Sequence, residues 1–120
     1  MDLKVLNMQI KAKSRYIRVS PYKLRPMINV VRGKTVEETL AFLKTYATKR
    51  VRPVLKLVES AYANAKNLDS NVATTKDVFI KEIKVDQGPT IKYFKPAAMG
   101  RSAVQRKRLS HMEVVLGKVK

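Results

Sequence analysis

The sequence has no cysteine and no tryptophan, one histidine, four glycines, and nine acidic residues against 26 lysines and arginines. Each shortage closes off a class of function. Without cysteine there are no disulfides and no thiolate metal sites, which fits a reducing compartment. With His111 as the sole histidine, neither a histidine metal cluster nor paired-histidine chemistry can be assembled within one chain. The glycines form neither a GxGxxG nor a GxxxxGK loop, so no phosphate cradle of those kinds is present. No apolar run approaches the roughly 20 residues of a membrane span. The opening MDLKVLNMQIKAK lacks the apolar stretch of a signal peptide, and its early acid and scarce serine do not suit a cleavable transit peptide.

Carboxylates suited to catalysis are equally scarce. Glu37 and Glu38 are the only adjacent acids, but neighbours on a helix point about 100° apart, so they read as charges at a helix start rather than an acid and base pair. Ser110 and His111 are adjacent in a strand-like stretch, where side chains point to opposite faces and form no dyad. The expectation is a protein that is not an enzyme and needs neither cofactor nor metal.

What the chain does have is positive charge, unevenly spread. The net charge is +17 and the pI about 10.4, which makes a field that attracts polyanions. Nine bases and no acid lie between Leu3 and Val36, and six bases and no acid between Gln87 and Met112. The stretch from Glu37 to Lys84 is nearly balanced and reads as the folding core, with a basic segment on each side. At 120 residues the chain has the size of a single domain, 1–120.

Periodicity predicts an α+β fold: three helices packed on a short antiparallel sheet, with a long protruding β-hairpin at about 84–108. In the segment from Met8 to Val19, the half RYIRV reads as a strand. Ser20 and Pro21 suit an N-cap and a first helical position. The first helix carries Leu24, Met27, Ile28 and Val31 on one face, is bent at Pro26, and stops at Gly33. Thr35 and Glu38 make a capping box ahead of a short helix with Val36, Thr39, Leu40 and Leu43 inward. Thr48 opens the central helix, whose broad apolar face is Val54, Leu55, Val58, Ala61, Tyr62, Ala65 and Leu68. After the polar connection 69–75, a strand from Val78 to Val85 leads into the hairpin. The returning arm ends as a half-buried strand, with Ser110, Met112, Val114 and Leu116 alternating with His111 and Glu113.

The hairpin fits no core of its own. With strict alternation, Val85, Ile91 and Tyr93 share a face with Gln87, Pro89 and Lys95, while Lys84, Asp86, Gly88, Thr90, Lys92 and Phe94 make the other. Neither face would bury well, and a free two-stranded ribbon is marginal in water, so the partner must be external and negative. The residues suited to phosphates are Lys11, Lys13, Arg15, Arg18, Lys23, Arg25, Arg32 and Lys34 in the first segment, then Lys92, Lys95, Arg101, Arg106, Lys107 and Arg108. Tyr16, Tyr22, Tyr93 and Phe94 lie among them and suit stacking on unpaired bases; for Tyr16, core packing competes evenly. Extended from Val85 to Ala98, one arm would reach about 40 Å, the dimension of a probe threaded into a nucleic-acid mass.

Several segments, in order, carry a resemblance: RYIRVSPYKLR at 15–25, VRGKTVEETL at 31–40, SAYANA at 60–65, VDQGPT at 85–90, RKRLSHM at 106–112 and VV at 114–115. From about Lys13 onward the chain resembles the universal large-subunit ribosomal protein twenty-two family, of bacterial or organellar type. The resemblance implies a small α+β domain that binds large-subunit ribosomal RNA and helps assembly, located in the ribosome of the cytoplasm or an organelle. It also implies a hairpin lining the nascent-polypeptide exit tunnel, with a tip near the site of macrolide binding. Tyr93 joins the RNA-binding set, and the tunnel tip is Ile91, Lys92, Tyr93, Pro96, Ala97, Ala98, Met99, Gly100 and Arg101. Implied partners are ribosomal RNA, neighbouring ribosomal proteins and the nascent polypeptide, with no membrane and no homo-oligomer. The chain departs from the family's usual pattern at Tyr93, Ala97 and Met99, where bases are common, and at Leu109, where threonine is usual.

Two other readings compete on the residues alone. A DNA-architectural protein would use the same basic hairpin as a minor-groove arm, with Pro96 as a wedge. A membrane-surface binder would need a continuous amphipathic helix, and the helix after Ser20 is interrupted by Pro26.

Overall fold

The computed structural model describes residues 10–46, 49–68, 74–96, 98–100 and 102–118. The predicted α+β architecture is present. Three strands, β1 (Ile10–Ile17), β2 (Val78–Pro96) and β3 (Ser102–Lys118), form an antiparallel sheet in the order β1-β3-β2. Three helices, α1 (Pro21–Val31), α2 (Val36–Thr45) and α3 (Val51–Leu68), cover one face of it. The register stacks the core in rows: Ile10, Leu116 and Ile80; Ala12, Val114 and Ile83; Ser14, Met112 and Val85. Onto these rows pack Leu24, Ile28 and Val31 of α1, Val36 and Leu43 of α2, and Val54, Val58, Ala61 and Ala65 of α3, all buried. Burying each large apolar side chain stabilises the fold by about 1.5–3 kcal/mol, and the helices complete a two-layer core.

The helix ends follow their local chemistry. Thr35 caps α2, its hydroxyl accepting from the Glu38 N–H at 3.3 Å, and Glu37 and Glu38 sit in the first turn, where the macrodipole favours negative charge. Gly33 ends α1 with φ 77°, a left-handed conformation available to glycine at little cost. Its N–H donates to the Ile80 carbonyl, and the Ile80 N–H donates to the Lys34 carbonyl at 2.8 Å. The exit of α1 is thereby pinned to β2. At the other end of α1, Ser20 holds the N-cap position, but its side chain makes no capping bond. Pro26 is accommodated within α1 on the exposed side.

Other sequence expectations need correcting. The strand expected at 15–19 lies earlier, at Ile10–Ile17, because the chain bends away to reach Ser20. Leu68 is exposed rather than part of the α3 stripe, and Leu57 is buried instead. Thr48, expected to open α3, lies outside the described residues, as do residues 69–73 of the 69–75 connection and the tip residues Ala97 and Arg101.

The hairpin faces also differ from simple alternation. Gln87 pairs with Ser110 and Thr90 with Arg108, so β2 carries one more residue than β3 across this step. That bulge holds Gly88 and Pro89. Proline has no N–H to offer a ladder, and a Cβ on Gly88 would lie 3.1 Å from the backbone of Leu109. A one-residue insertion flips every side chain beyond it. The helix-covered face of Val85 and Met112 therefore continues outward as Thr90, Lys92 and Phe94 opposite Arg108, Arg106 and Val104. The open face continues as Ile91, Tyr93 and Lys95 opposite Lys107 and Gln105.

Beyond the bulge the described side chains from Ile91 to Pro96 and from Val104 to Arg108 are exposed. The arms pair through to Pro96 and Ser102, and a short 3-10 turn at Ala98–Gly100 lies at the tip. The chain measures 69 × 30 × 19 Å with a radius of gyration of 17.9 Å, against about 14 Å for a compact chain of this length. Among the described residues, no helix is long and apolar enough to cross a membrane.

Candidate nucleic-acid interface

The root of the hairpin gathers cations that are far apart in sequence. The Ser110 hydroxyl, fully buried, donates to the Val19 carbonyl and ties β3 to the joint between β1 and α1. That contact sets the start of α1 beside the hairpin. A concavity there is lined by Arg18, Ser20, Lys23, Arg50, Arg106, Lys107 and Arg108. The first turn of α1 contains no acid, so the positive end of its dipole adds to the same field. A second groove, between β1 and α3, is lined by Lys13, Arg15, Arg18, Arg52 and Lys56 together with Tyr16 and Ser60. Arg18 lines both grooves.

Arg50, Arg52 and Lys56 were absent from the sequence-derived set, because they lie in the nearly balanced middle segment. Their signal was positional: Arg52 and Lys56 are four residues apart on a helix, off the apolar stripe of Val54 and Val58. Of the predicted residues, Lys13, Arg15, Arg18, Lys23, Arg106, Lys107 and Arg108 are brought together in these grooves. Lys92 pairs with Arg106 across the ribbon just beyond. Arg32 and Lys34 are at the opposite end of α1, next to Ile80, about 20 Å along β2 from the hairpin root at 3.3 Å per residue. Arg25 lies over the ring of Tyr22 at 5.4 Å.

The open face of the sheet has its own pattern. Glu113 sits among three ammonium groups, Lys84 at 3.6 Å and Lys11 and Lys13 at 3.9 Å. The lysines are about half exposed while Glu113 is largely covered, and pairs with one partner in solvent contribute about 0–1 kcal/mol each. By register Glu82 and Asp86 share this face with Glu113, so the three lysines there are matched in number by carboxylates. Next to it, Tyr16 is not a core residue: it is 62% exposed, with φ 58°. It occupies a bulge where β1 runs from Ser14 to Ile17 while β3 runs only from Met112 to Ser110. Its N–H donates to Nδ1 of His111 at 3.1 Å, and the two rings meet edge to face at 5.0 Å.

On the outer hairpin the described aromatic and apolar side chains are exposed, as their sequence context suggested. Phe94 is 72% and Met99 100% exposed, with Ile91, Tyr93 and Val104 about half covered. Lys92, Lys95 and Arg106 lie among them, also exposed. Cationic, aromatic and apolar groups are interspersed along this exposed arm.

A basic root, grooves lined from three separate stretches, and an uncovered ribbon define a small α+β protein built to hold a folded polyanion and reach into it. The chain belongs to the family described as ribosomal protein L22p/L17e, whose model matches residues 12–117. It is 49% identical over 111 residues to the large ribosomal subunit protein uL22 of Pelotomaculum thermopropionicum, covering 91% of this chain and 95% of that one. It is 46% identical over 109 residues to uL22 of Desulfitobacterium hafniense strain DSM 10664 / DCB-2, covering 90% and 93%. With uL22 of Clostridioides difficile it shares 45% over 109 residues, covering 91% and 96%. The resemblance read from the sequence motifs holds across nearly the whole chain.

Proposed function

We propose that this chain is a structural, non-enzymatic constituent of the large ribosomal subunit, acting in the cytoplasmic ribosome as one domain, 1–120. It binds large-subunit ribosomal RNA through the hairpin root, aids assembly beside neighbouring ribosomal proteins, and extends its hairpin along the nascent-polypeptide exit tunnel. The observation that carries this reading is the convergence of Arg18, Lys23, Arg50, Arg106, Lys107 and Arg108 at the base of a ribbon whose described outer side chains are exposed. Cations so placed neutralise closely spaced phosphates, while burial in RNA supplies the stability that a free two-stranded ribbon has little of. Lys11, Lys13, Arg15, Arg25, Arg32, Lys34, Lys92, Tyr93, Lys95 and Arg101 extend the RNA surface. The tip, from Ile91 to Arg101, faces the nascent polypeptide. Its exposed Tyr93 and Met99 give it a more apolar character than a wholly basic tip would have.

The test is sucrose-gradient fractionation of a lysate from the source cell, with and without a high-salt wash. Co-sedimentation with the large subunit that survives the wash is expected. Recovery with DNA, or at the top of the gradient, would overturn the reading.

A further inference from the structure

The shallow groove on the open face at the hairpin root contains a carboxylate whose position the general attraction for phosphate does not explain. Asp86 and His111 face each other across β2 and β3. They line the groove with Tyr16, Lys13, Arg15 and Glu113. Glu113 is bridged by lysines, Lys13 among them, whereas no ion pair to Asp86 is formed among the described residues. An unpaired carboxylate on a surface meant for a polyanion repels that ligand unless it accepts hydrogen bonds from it. Beside it, Nδ1 of His111 accepts from the Tyr16 N–H, which leaves the ring proton on Nε2 as a donor. The same bond holds Tyr16 in its left-handed bulge with the phenol ring outward. Most side chains avoid that backbone conformation, and here the strain goes with a presented aromatic face.

We propose that this groove is a binding site for one unpaired guanine, a site that rests on the RNA-binding reading above. The base stacks on Tyr16, its N1–H and N2–H donate to the Asp86 carboxylate, and its O6 accepts from Nε2–H of His111. Lys13 and Arg15 take the flanking phosphates. Among the four bases only guanine presents two adjacent donors followed by an acceptor on its Watson–Crick edge, which is the complement of a carboxylate beside an imidazole N–H. His111 is the positioning residue for Tyr16 as well as a donor.

The full-length chain is titrated with 5′-GMP, AMP, CMP and UMP and followed by NMR, where the single histidine makes the His111 ring resonances unambiguous. GMP is expected to shift the His111 and Tyr16 ring signals and to bind about tenfold more tightly than the other three, a modest fraction of what stacking and paired hydrogen bonds provide. Asp86→Asn abolishes that preference while leaving the phosphate-dependent response. Tyr16→Gly, which removes the left-handed strain, keeps or raises the melting temperature yet loses the guanine response; a purely structural role for Tyr16 would not separate the two. Equal shifts with all four nucleotides, or a guanine preference that survives Asp86→Asn, overturn the proposal. A chain that binds ribosomal RNA with no guanine preference fails here alone, whereas one that binds no ribosomal RNA fails the broader reading.

Discussion

Replacing residues 93–105 with Asn-Gly would remove the outer ribbon and close the remaining arms across the Lys92 and Arg106 pair, with a turn suited to a two-residue connection. None of the described large apolar side chains removed belongs to the core: Tyr93, Phe94, Met99 and Val104 are all about half exposed or more. The cross-strand pairs lost are worth about 0.2–1 kcal/mol each. Against this stands about 1–2 kcal/mol of backbone ordering per residue no longer required. The ladder hydrogen bonds and pair contacts of an isolated ribbon nearly balance that ordering, which is why such ribbons are marginal. The expected change in folding stability is therefore within about 1 kcal/mol, or roughly 5 °C in melting temperature for a domain of this size. Thermal unfolding followed by circular dichroism should remain a single cooperative transition. Because Arg18, Lys23, Arg50, Arg106, Lys107 and Arg108 are retained, the salt dependence of RNA binding should also persist. Loss of cooperativity, or a fall in melting temperature beyond about 10 °C, would show that the ribbon supports the core and refute the reasoning.

Further expectations concern the hairpin root. If about eight phosphates are neutralised there, the log–log slope of RNA affinity against salt should be about −5 or steeper, and Arg18→Gln with Arg50→Gln should flatten it by about 1.5; filter binding across a salt series measures both, and a flat response would contradict the electrostatic argument. Ser110→Ala removes the buried donor to the Val19 carbonyl and should cost about 1 kcal/mol in urea unfolding, whereas an unchanged midpoint would mean that this tie does not hold the α1 joint. Gly88→Ala forces a Cβ against the Leu109 carbonyl group at 3.1 Å, and since backbone yields poorly, a loss of about 1–3 kcal/mol is expected; wild-type stability would show that the bulge relaxes freely.

Much of the fold was legible because it depends on short-range rules. The apolar spacing of Leu24, Met27, Ile28 and Val31, the Thr35 cap, the stop at Gly33 and the alternation from Ser110 to Leu116 all express helix and strand periods that operate within a few residues. The hairpin was legible for a complementary reason: its pattern matches no buried face, and the described side chains of its outer part are indeed exposed. Arg50, Arg52 and Lys56 were hidden because a local charge count treats them as belonging to a balanced segment. Their role in the grooves depends on which elements α3 packs against.

From the sequence alone came the α+β class, the two acid-free basic segments, the protruding ribbon, the lack of cysteine and the single histidine, since composition and periodicity are properties of the chain itself. The tertiary structure decided which cations share a surface, which faces of the hairpin carry Phe94 and Tyr93, and that Tyr16 is presented rather than buried. Each of those depends on a bulge or a crossing contact: one extra residue at Gly88 and Pro89 reverses the outer ribbon, another at Arg15 and Tyr16 turns a side chain out of the strand, and Ser110 fixes α1 against the root. Strand register is set by pairing between distant segments, so a pattern read along one strand cannot register an insertion relative to its neighbour.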